Sequence, residues 1–279
     1  MAALEETGLI YLTPKEMALK AEEIAVSKAQ LSLPKLLFLG ILAGAYIALG
    51  AVFSAVAVTG MSGVWPYGIT RIAAGVTFSL GLILVVVGGA ELFTGNNLMI
   101  MALLHRKISF AALLRNWGMV YIGNFVGSLI VALLVIGGRM YTFSSGEVGK
   151  TMLTLAVNKT HYTFFQAVIL GILCNILVCL AVWLSYSAKS TSGKILAIIF
   201  PITAFIAAGF EHSVANMYIL PVGLLLKTFD PTFVTGLKLD VSTLTWGTFF
   251  LRNLLPVTIG NILGGSGFVG VLYYLIYLD

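Results

Sequence analysis

One polar pattern is written twice in an otherwise apolar chain, and that doubling limits the possible folds more than any other feature. Arg115-Asn116, six residues, Gly123-Asn124, two residues and Gly127 recur as Arg252-Asn253, six residues, Gly260-Asn261, two residues and Gly264. Gly40-Ile41-Leu42-Ala43-Gly44 is echoed by Gly171-Ile172-Leu173-Cys174-Asn175, and Gly89-Ala90-Glu91 with Asn96 by Gly209-Phe210-Glu211 with Asn216. These pairs keep the same order along the chain, at displacements of 131, 120 and 137 positions. Two apolar halves on one plan point to a membrane transporter or channel, because such proteins form their pathway where two repeats meet.

Composition supports the membrane setting. Of 279 residues, 59% are hydrophobic and 10% charged, with mean hydropathy +1.02. A soluble domain carries about 25% charged residues, so the chain reads as an integral membrane protein. A net charge of +5 would suggest nucleic acid in a soluble chain. Here the basic residues sit between apolar runs and report orientation instead, and no nucleic-acid partner is expected. Cys174 and Cys179 lie five apart in one apolar segment, about 140° apart around a helix, a poor arrangement for a shared metal. They read as buried structural thiols. The first 33 residues are polar and mixed in charge, unlike a cleavable signal.

Thr13-Pro14-Lys15-Glu16 offers an N-cap, a proline at the first helical position and a capping-box glutamate. Met17, Ala21, Ile24 and Ala25 then share a face, which predicts an amphipathic helix along the membrane surface, ended by Pro34. Six spans follow, near 35 to 60, 69 to 104, 111 to 137, 161 to 187, 194 to 226 and 245 to 277. Crossing the hydrocarbon takes about 20 helical residues, so the second and fifth are too long for one straight crossing. Each has a charged, glycine-bounded interruption, the mark of a broken helix. Three spans per repeat require the repeats to be inverted, and six put both termini on one side. Lys15, Lys20, Lys28, Lys35, Arg106, Lys107, Arg115, Lys189 and Lys194 favour a cytoplasmic N-terminus. The expected organisation is residues 1–33 as a cytoplasmic segment and 34–279 as one transmembrane domain, with repeats over about 35–137 and 161–277.

The interruptions read Gly88-Gly89-Ala90-Glu91-Leu92-Phe93-Thr94-Gly95-Asn96-Asn97 and Gly209-Phe210-Glu211-His212-Ser213-Val214-Ala215-Asn216. A charge at bilayer depth costs about 3 kcal/mol on insertion scales, so such segments persist only where protein or water surrounds them. A new half-helix should begin after each break, with Thr94 or Ser213 as N-cap, presenting free amides and a positive dipole end to an anion. His212, with an ordinary pKa of about 6.5, is the candidate to supply a proton or a positive charge. Glu91 and Glu211 are read at least equally as ties between the broken helix and its neighbours. His105 and His161 fall at span ends. Gly40 with Gly44, Gly123 with Gly127, and Gly260 with Gly264 are spaced for close helix packing inside one subunit. Phe78, Leu82, Leu92, Phe93 and Phe205 read first as packing residues, with hydrophobic constriction as the second role.

These motifs resemble the formate/nitrite transporter family. The resemblance rests on Ala90-Glu91-Leu92-Phe93-Thr94-Gly95-Asn96, on the stretch Asn175 to Trp183, on Gly209 through Met217, and on Pro256-Val257-Thr258-Ile259-Gly260-Asn261. It covers nearly the whole chain after Pro34 and is strongest toward the bacterial formate channels, through Phe78 to Leu84 and Trp183 to Ser187. The resemblance implies an all-α, aquaporin-like protomer of six transmembrane helices in two inverted repeats. It also implies a homopentamer in the inner (plasma) membrane with a pore through each protomer, passing small anions such as formate, nitrite or hydrosulfide. On that basis Thr94 and His212 match the central pair and Asn175 a polar lining residue. Phe78, Leu82, Leu92, Phe93 and Phe205 match the constrictions, Lys159 a basic residue of the outer vestibule, and the N-terminal helix a gating segment.

The expected mechanism brings a weak-acid anion through a basic vestibule and past apolar constrictions to Thr94 and His212, beside Glu211. A proton from His212 would let the neutral acid cross where an ion would not. A neutral-solute channel of the aquaporin type is disfavoured, because neither break carries Asn-Pro-Ala and acidic residues precede both. A membrane enzyme is disfavoured by the lack of Glu-x-x-His or His-x-x-x-His spacing, and neither metal nor cofactor is expected.

Overall fold

The structure, a computed structural model, describes residues 11–279. Its helices are α1 (Pro14–Ala29), α2 (Leu33–Val58), α3 (Tyr67–Gly88), α4 (Gly95–Leu104), α5 (Phe110–Gly137), α6 (Glu147–Asn158), α7 (Phe164–Ser187), α8 (Thr191–Ala208), α9 (Ser213–Phe229), α10 (Pro231–Gly236) and α11 (Thr248–Tyr277). Six of them, α2, α3, α5, α7, α8 and α11, are long and apolar enough to cross a membrane. The shorter apolar helices α4 and α9 complete the second and fifth spans after the breaks. The expected span limits agree to within a few residues, and the fold is the all-α, six-span, broken-helix architecture that the repeat predicts.

Glycine sets the helix contacts within each half. An added Cβ on Gly44 would strike the Asn124 backbone, and one on Gly127 the Ile41 carbonyl, so α2 and α5 touch backbone to backbone. In the second half, Gly260 meets the Val168 carbonyl and Gly264 the Ile172 carbonyl, which joins α7 to α11 in the same way. Both seams lie inside one protomer, as the spacing suggested. The halves join through α3 against α8 and α5 against α9. The last span departs locally from α geometry over Thr248–Leu254 and Leu263–Gly270, where the turns are π-helical. Pro256 supplies one cause, since it has no N–H for the carbonyl four residues earlier.

α1 corrects one expectation. Its capping box forms as predicted: Thr13 Oγ1 accepts from the Glu16 N–H, and the Glu16 carboxylate accepts from the Thr13 N–H at 2.7 Å. The Thr13 hydroxyl also donates to Glu16 Oε2 at 2.7 Å, and this bond, ahead of the one from the Thr13 N–H, holds the Glu16 carboxyl below its ordinary pKa. The apolar face, however, rests on protein and not along a lipid surface. Met17, Ala18 and Ala21 pack with Met101 and Trp183, while Ala25 packs with Met99, Ala102 and Leu113. Glu22, at 1% exposure, is buried between His105 Nδ1 at 2.5 Å and Lys107 Nζ at 2.6 Å. A buried carboxylate requires such partners, and the turn after α4 provides them. Tyr273, Tyr277 and Leu278 from the last span join the same cluster, so both ends of the described chain meet at one face, here the N-terminal face. With three spans per repeat, the two halves are therefore inverted.

Candidate substrate pathway

Each break opens on a left-handed glycine. Gly89 (φ +80) ends α3 and Gly209 (φ +78) ends α8, a conformation that residues with a Cβ rarely adopt. Beyond them, the Glu91 N–H donates to the Leu39 carbonyl and the Glu211 N–H to the Leu170 carbonyl, each at 3.2 Å. The doubled Gly-Asn then acts as a splint. Asn124 Oδ1 accepts from the Phe93 N–H at 2.9 Å, while its Nδ2 donates to the Gly40 and Glu91 carbonyls at 2.8 and 2.9 Å. Asn261 repeats this on the Ser213 N–H, the Gly171 carbonyl and the Glu211 carbonyl at 2.9, 2.8 and 3.0 Å. Amides expected to be free for an anion at the half-helix starts are thus partly satisfied within the protein, as burial demands.

The doubled Arg-Asn serves the carboxylates. Asn96 Nδ2 donates to Glu91 Oε2 at 2.7 Å and to Asn116 Oδ1 at 2.8 Å, and Lys28 Nζ lies 3.2 Å from Glu91 Oε1. In the other half, Asn216 Nδ2 donates to Glu211 Oε2 at 2.7 Å and to Asn253 Oδ1 at 2.8 Å, with Lys159 Nζ 2.7 Å from Glu211 Oε1. Asn116 and Asn253 also donate to the backbone carbonyls of Lys28 and Lys159. Both glutamates are therefore tied in, in line with the packing interpretation given to them above. Lys28 was not singled out from sequence, yet it stands 131 positions before Lys159, the displacement already found for the first spans.

The two breaks meet at Thr94 and His212, whose Oγ1 and Nε2 lie 2.9 Å apart in a fully buried contact. His212 Nδ1 accepts from the Ala215 N–H at 3.0 Å, so His212, and not Ser213, is the N-cap of α9. Ser213 is the first helical residue, and its hydroxyl has no partner. Thr94 occupies the cap position of α4 but makes no side-chain cap bond. Because Nδ1 must be an acceptor, a neutral imidazole carries its proton on Nε2 and donates to Thr94 Oγ1. Asn175 Nδ2 lies 3.3, 2.8 and 2.7 Å from the Thr94, Asn97 and Asn261 oxygens, three acceptors for its two hydrogens, and its Oδ1 is unpartnered. Gly265 is what admits this approach, since an added Cβ would strike Asn175.

Apolar side chains pack around this centre. Phe78 and Phe205 meet edge to face at 5.7 Å, and Phe205 lies 5.9 Å from the His212 ring in a stacked arrangement. Leu82, Leu92 and Phe93 are buried in the same core, Phe93 against Trp117 and Tyr121. On the face opposite the N-terminal one, a cavity of about 1040 Å³ reaches from Trp65, Lys150 and His161 down to Phe78, Glu211 and Tyr218. Arg71 and Lys159 also line it. Arg71 donates to the Ile206 and Ala207 carbonyls, closing the end of α8 beside the second break.

Inverted half-bundles whose broken helices meet at a buried polar pair define a multi-pass membrane protein of the transporter and channel class. Residues 15–275 match the Formate/nitrite transporter family, and the chain belongs to it. It is 44% identical over 271 residues to the formate channel FocA of Escherichia coli K12, covering 96% of this chain and 95% of that one. It is 36% identical to the formate channel BtFdhC of Bacillus thuringiensis, covering 96% and 97%. A solved structure described as a pentameric formate channel with formate bound superposes with a TM-score of 0.80 at 40% identity, over 88% of this chain and 98% of the other.

Proposed function

We propose that this protein is a formate channel, passing small monovalent weak-acid anions through a pore in each protomer of a homopentamer. The observation that carries the proposal is the Thr94–His212 contact where the two breaks meet, between a lysine-bound glutamate on either side. The likeness to the pentameric formate channel supports both the substrate and the assembly. The proposed setting is the inner (plasma) membrane with both termini cytoplasmic. The cluster of basic residues around α1, Arg106, Lys107 and Arg115 at the N-terminal face supports that orientation. The opposite cavity is then the outer vestibule.

In this reading Arg71, Lys150 and Lys159 draw the anion into the vestibule, and Phe78 with Phe205 forms the first apolar barrier. Leu82, Leu92 and Phe93 extend that barrier, and Asn175 holds the Thr94 backbone beside it. A bare charge in this setting is unfavourable by several kcal/mol, so the small neutral acid crosses most readily. At the centre the His212 Nε2–H donates to Thr94 Oγ1, which leaves the threonine hydroxyl hydrogen for an oxygen of the passing acid. A proton relay by His212 requires a second proton on Nδ1 and loss of the bond that caps α9, at a cost of about 1 kcal/mol. Hydrogen-bond donation requires neither.

The test is uptake by proteoliposomes of formate, acetate, nitrite, hydrosulfide and chloride at two pH values, with glycerol swelling alongside. Formate should lead the series and rise as pH falls, with no glycerol permeation. Equal passage of chloride and formate would overturn the proposal, and glycerol permeation would restore the aquaporin-type alternative. A lead for nitrite or hydrosulfide would reassign the substrate within the family.

A further inference from the structure

The apolar barrier beneath the outer vestibule is built across the line where the two repeats join. Along one face of α3, Arg71, Gly75, Phe78 and Ser79 all meet α8, at the spacing that brings helical residues above one another. Arg71 donates to the Ile206 and Ala207 carbonyls, the second through Nε at 3.3 Å. Gly75 lies against Thr203, where an added Cβ would come within 2.7 Å of the Thr203 Cα and carbonyl oxygen. Phe78 meets Phe205, and Ser79 Oγ lies 3.4 Å from the Ile199 carbonyl. The gap between the two phenylalanines is therefore set by the spacing of α3 and α8.

Arg71 holds the outer end of that line. The last carbonyls of a helix have no donor within the helix, and those of α8 run into the left-handed Gly209 at the second break. An added Cβ on Gly209 would sit 3.8 Å from Arg71 Nη2, so the guanidinium stands beside the break itself. Attraction of an anion into the vestibule does not call for arginine, since lysine supplies the same charge. A planar fork does suit two successive carbonyls, and a lysine ammonium does not reproduce it. Shifted by 120 positions Arg71 falls on Thr191, so the other half has no equivalent clamp and the repeat does not account for this one.

We propose that Arg71 is a positioning residue that sets the width of the Phe78–Phe205 barrier, and through it the size of the acid that passes. The inference rests on the channel reading above and adds a size limit to it. Formate and propionate carry the same single charge, so the vestibule cations attract both alike. Their uptake ratio therefore reports the barrier. Loss of folded protein lowers both rates together and leaves that ratio in place.

In proteoliposomes, after subtraction of protein-free liposomes, Arg71→Lys should raise the propionate-to-formate ratio about fivefold over wild type, roughly the factor that one hydrogen bond is worth. Gly75→Ala keeps Arg71 but presses a Cβ into the Thr203 backbone, so it should part the helices and raise the ratio as well. A wild-type ratio in Arg71→Lys would overturn the inference and leave Arg71 as a vestibule cation only. A rise in Arg71→Lys with a wild-type ratio in Gly75→Ala would overturn it too, because helix spacing would not be the route. If gel filtration shows that Arg71→Lys does not assemble, Arg71→Gln takes its place with the same expected rise. Wild-type formate uptake separates the two levels: with uptake intact and both ratios unchanged, only this inference fails. Absence of wild-type uptake removes the channel reading and this inference together.

Discussion

The two nitrogens of His212 have separate duties. Nδ1 accepts from Ala215 to start α9, and Nε2 faces Thr94. Asparagine is a good cap and keeps a donor, whereas phenylalanine supplies neither. His212→Asn should therefore unfold within about 1 kcal/mol of the wild type, and His212→Phe should lose about that much from the missing cap. The pH slope of formate uptake should survive in His212→Asn; a flat profile would establish His212 as the relaying acid. Thr94 and His212 were legible from sequence as unmatched members of matched breaks. At the displacement of 120, their counterparts are Val214 and Leu92. The cap was not legible, because serine outranks histidine in cap preference and only the ring orientation shows which side chain reaches Ala215. Lys28 was missed for a different reason. It lies on α1, before the first span, where a basic residue reads as an orientation signal and only the fold brings it to Glu91.

Helices were the most readable level, since long apolar runs and charged interruptions declare spans and breaks directly. The glycine seams could be inferred as well, but not their severity. Gly127→Ala and Gly264→Ala would each press a Cβ into a facing carbonyl, and overpacking of this kind costs about 1–3 kcal/mol. Both should lower the thermal midpoint in detergent. Gly118→Ala, whose new Cβ would meet nothing within 4 Å, should leave it unchanged. α1 shows where pattern reading stops: an apolar stripe does not state whether lipid or protein covers it. Glu22 is one of its polar ties, beside Lys28 on Glu91, so Glu22→Ala should loosen α1 and speed tryptic cleavage at Lys15 and Lys20 relative to wild type. Equal cleavage rates would show that the apolar contacts and the Lys28–Glu91 pair hold it without Glu22.

At the scale of the whole molecule, the repeat governs both the bundle and its polar ties. If each protomer of the proposed pentamer carries its own path, flux in mixed assemblies follows the share of open subunits. Coexpression of wild type with Phe78→Trp, which enlarges a side chain in a packed barrier, should reduce formate uptake linearly with the wild-type fraction. A steeper loss would show coupling between subunits, and no loss would place the route outside this barrier. The lysine pairing also reaches beyond the six spans. Shifted by the 131 positions that relate Lys28 to Lys159, α1 falls on residues 145–160, and α6 occupies Glu147–Asn158. Each repeat thus begins with a helix ahead of its first span, and the lysine at the end of that helix closes on the glutamate of its own break. α6 links α5 to α7, while α1 crosses the N-terminal face against α4, α5 and α7, so the same part serves as a connector in one half and as a cover in the other.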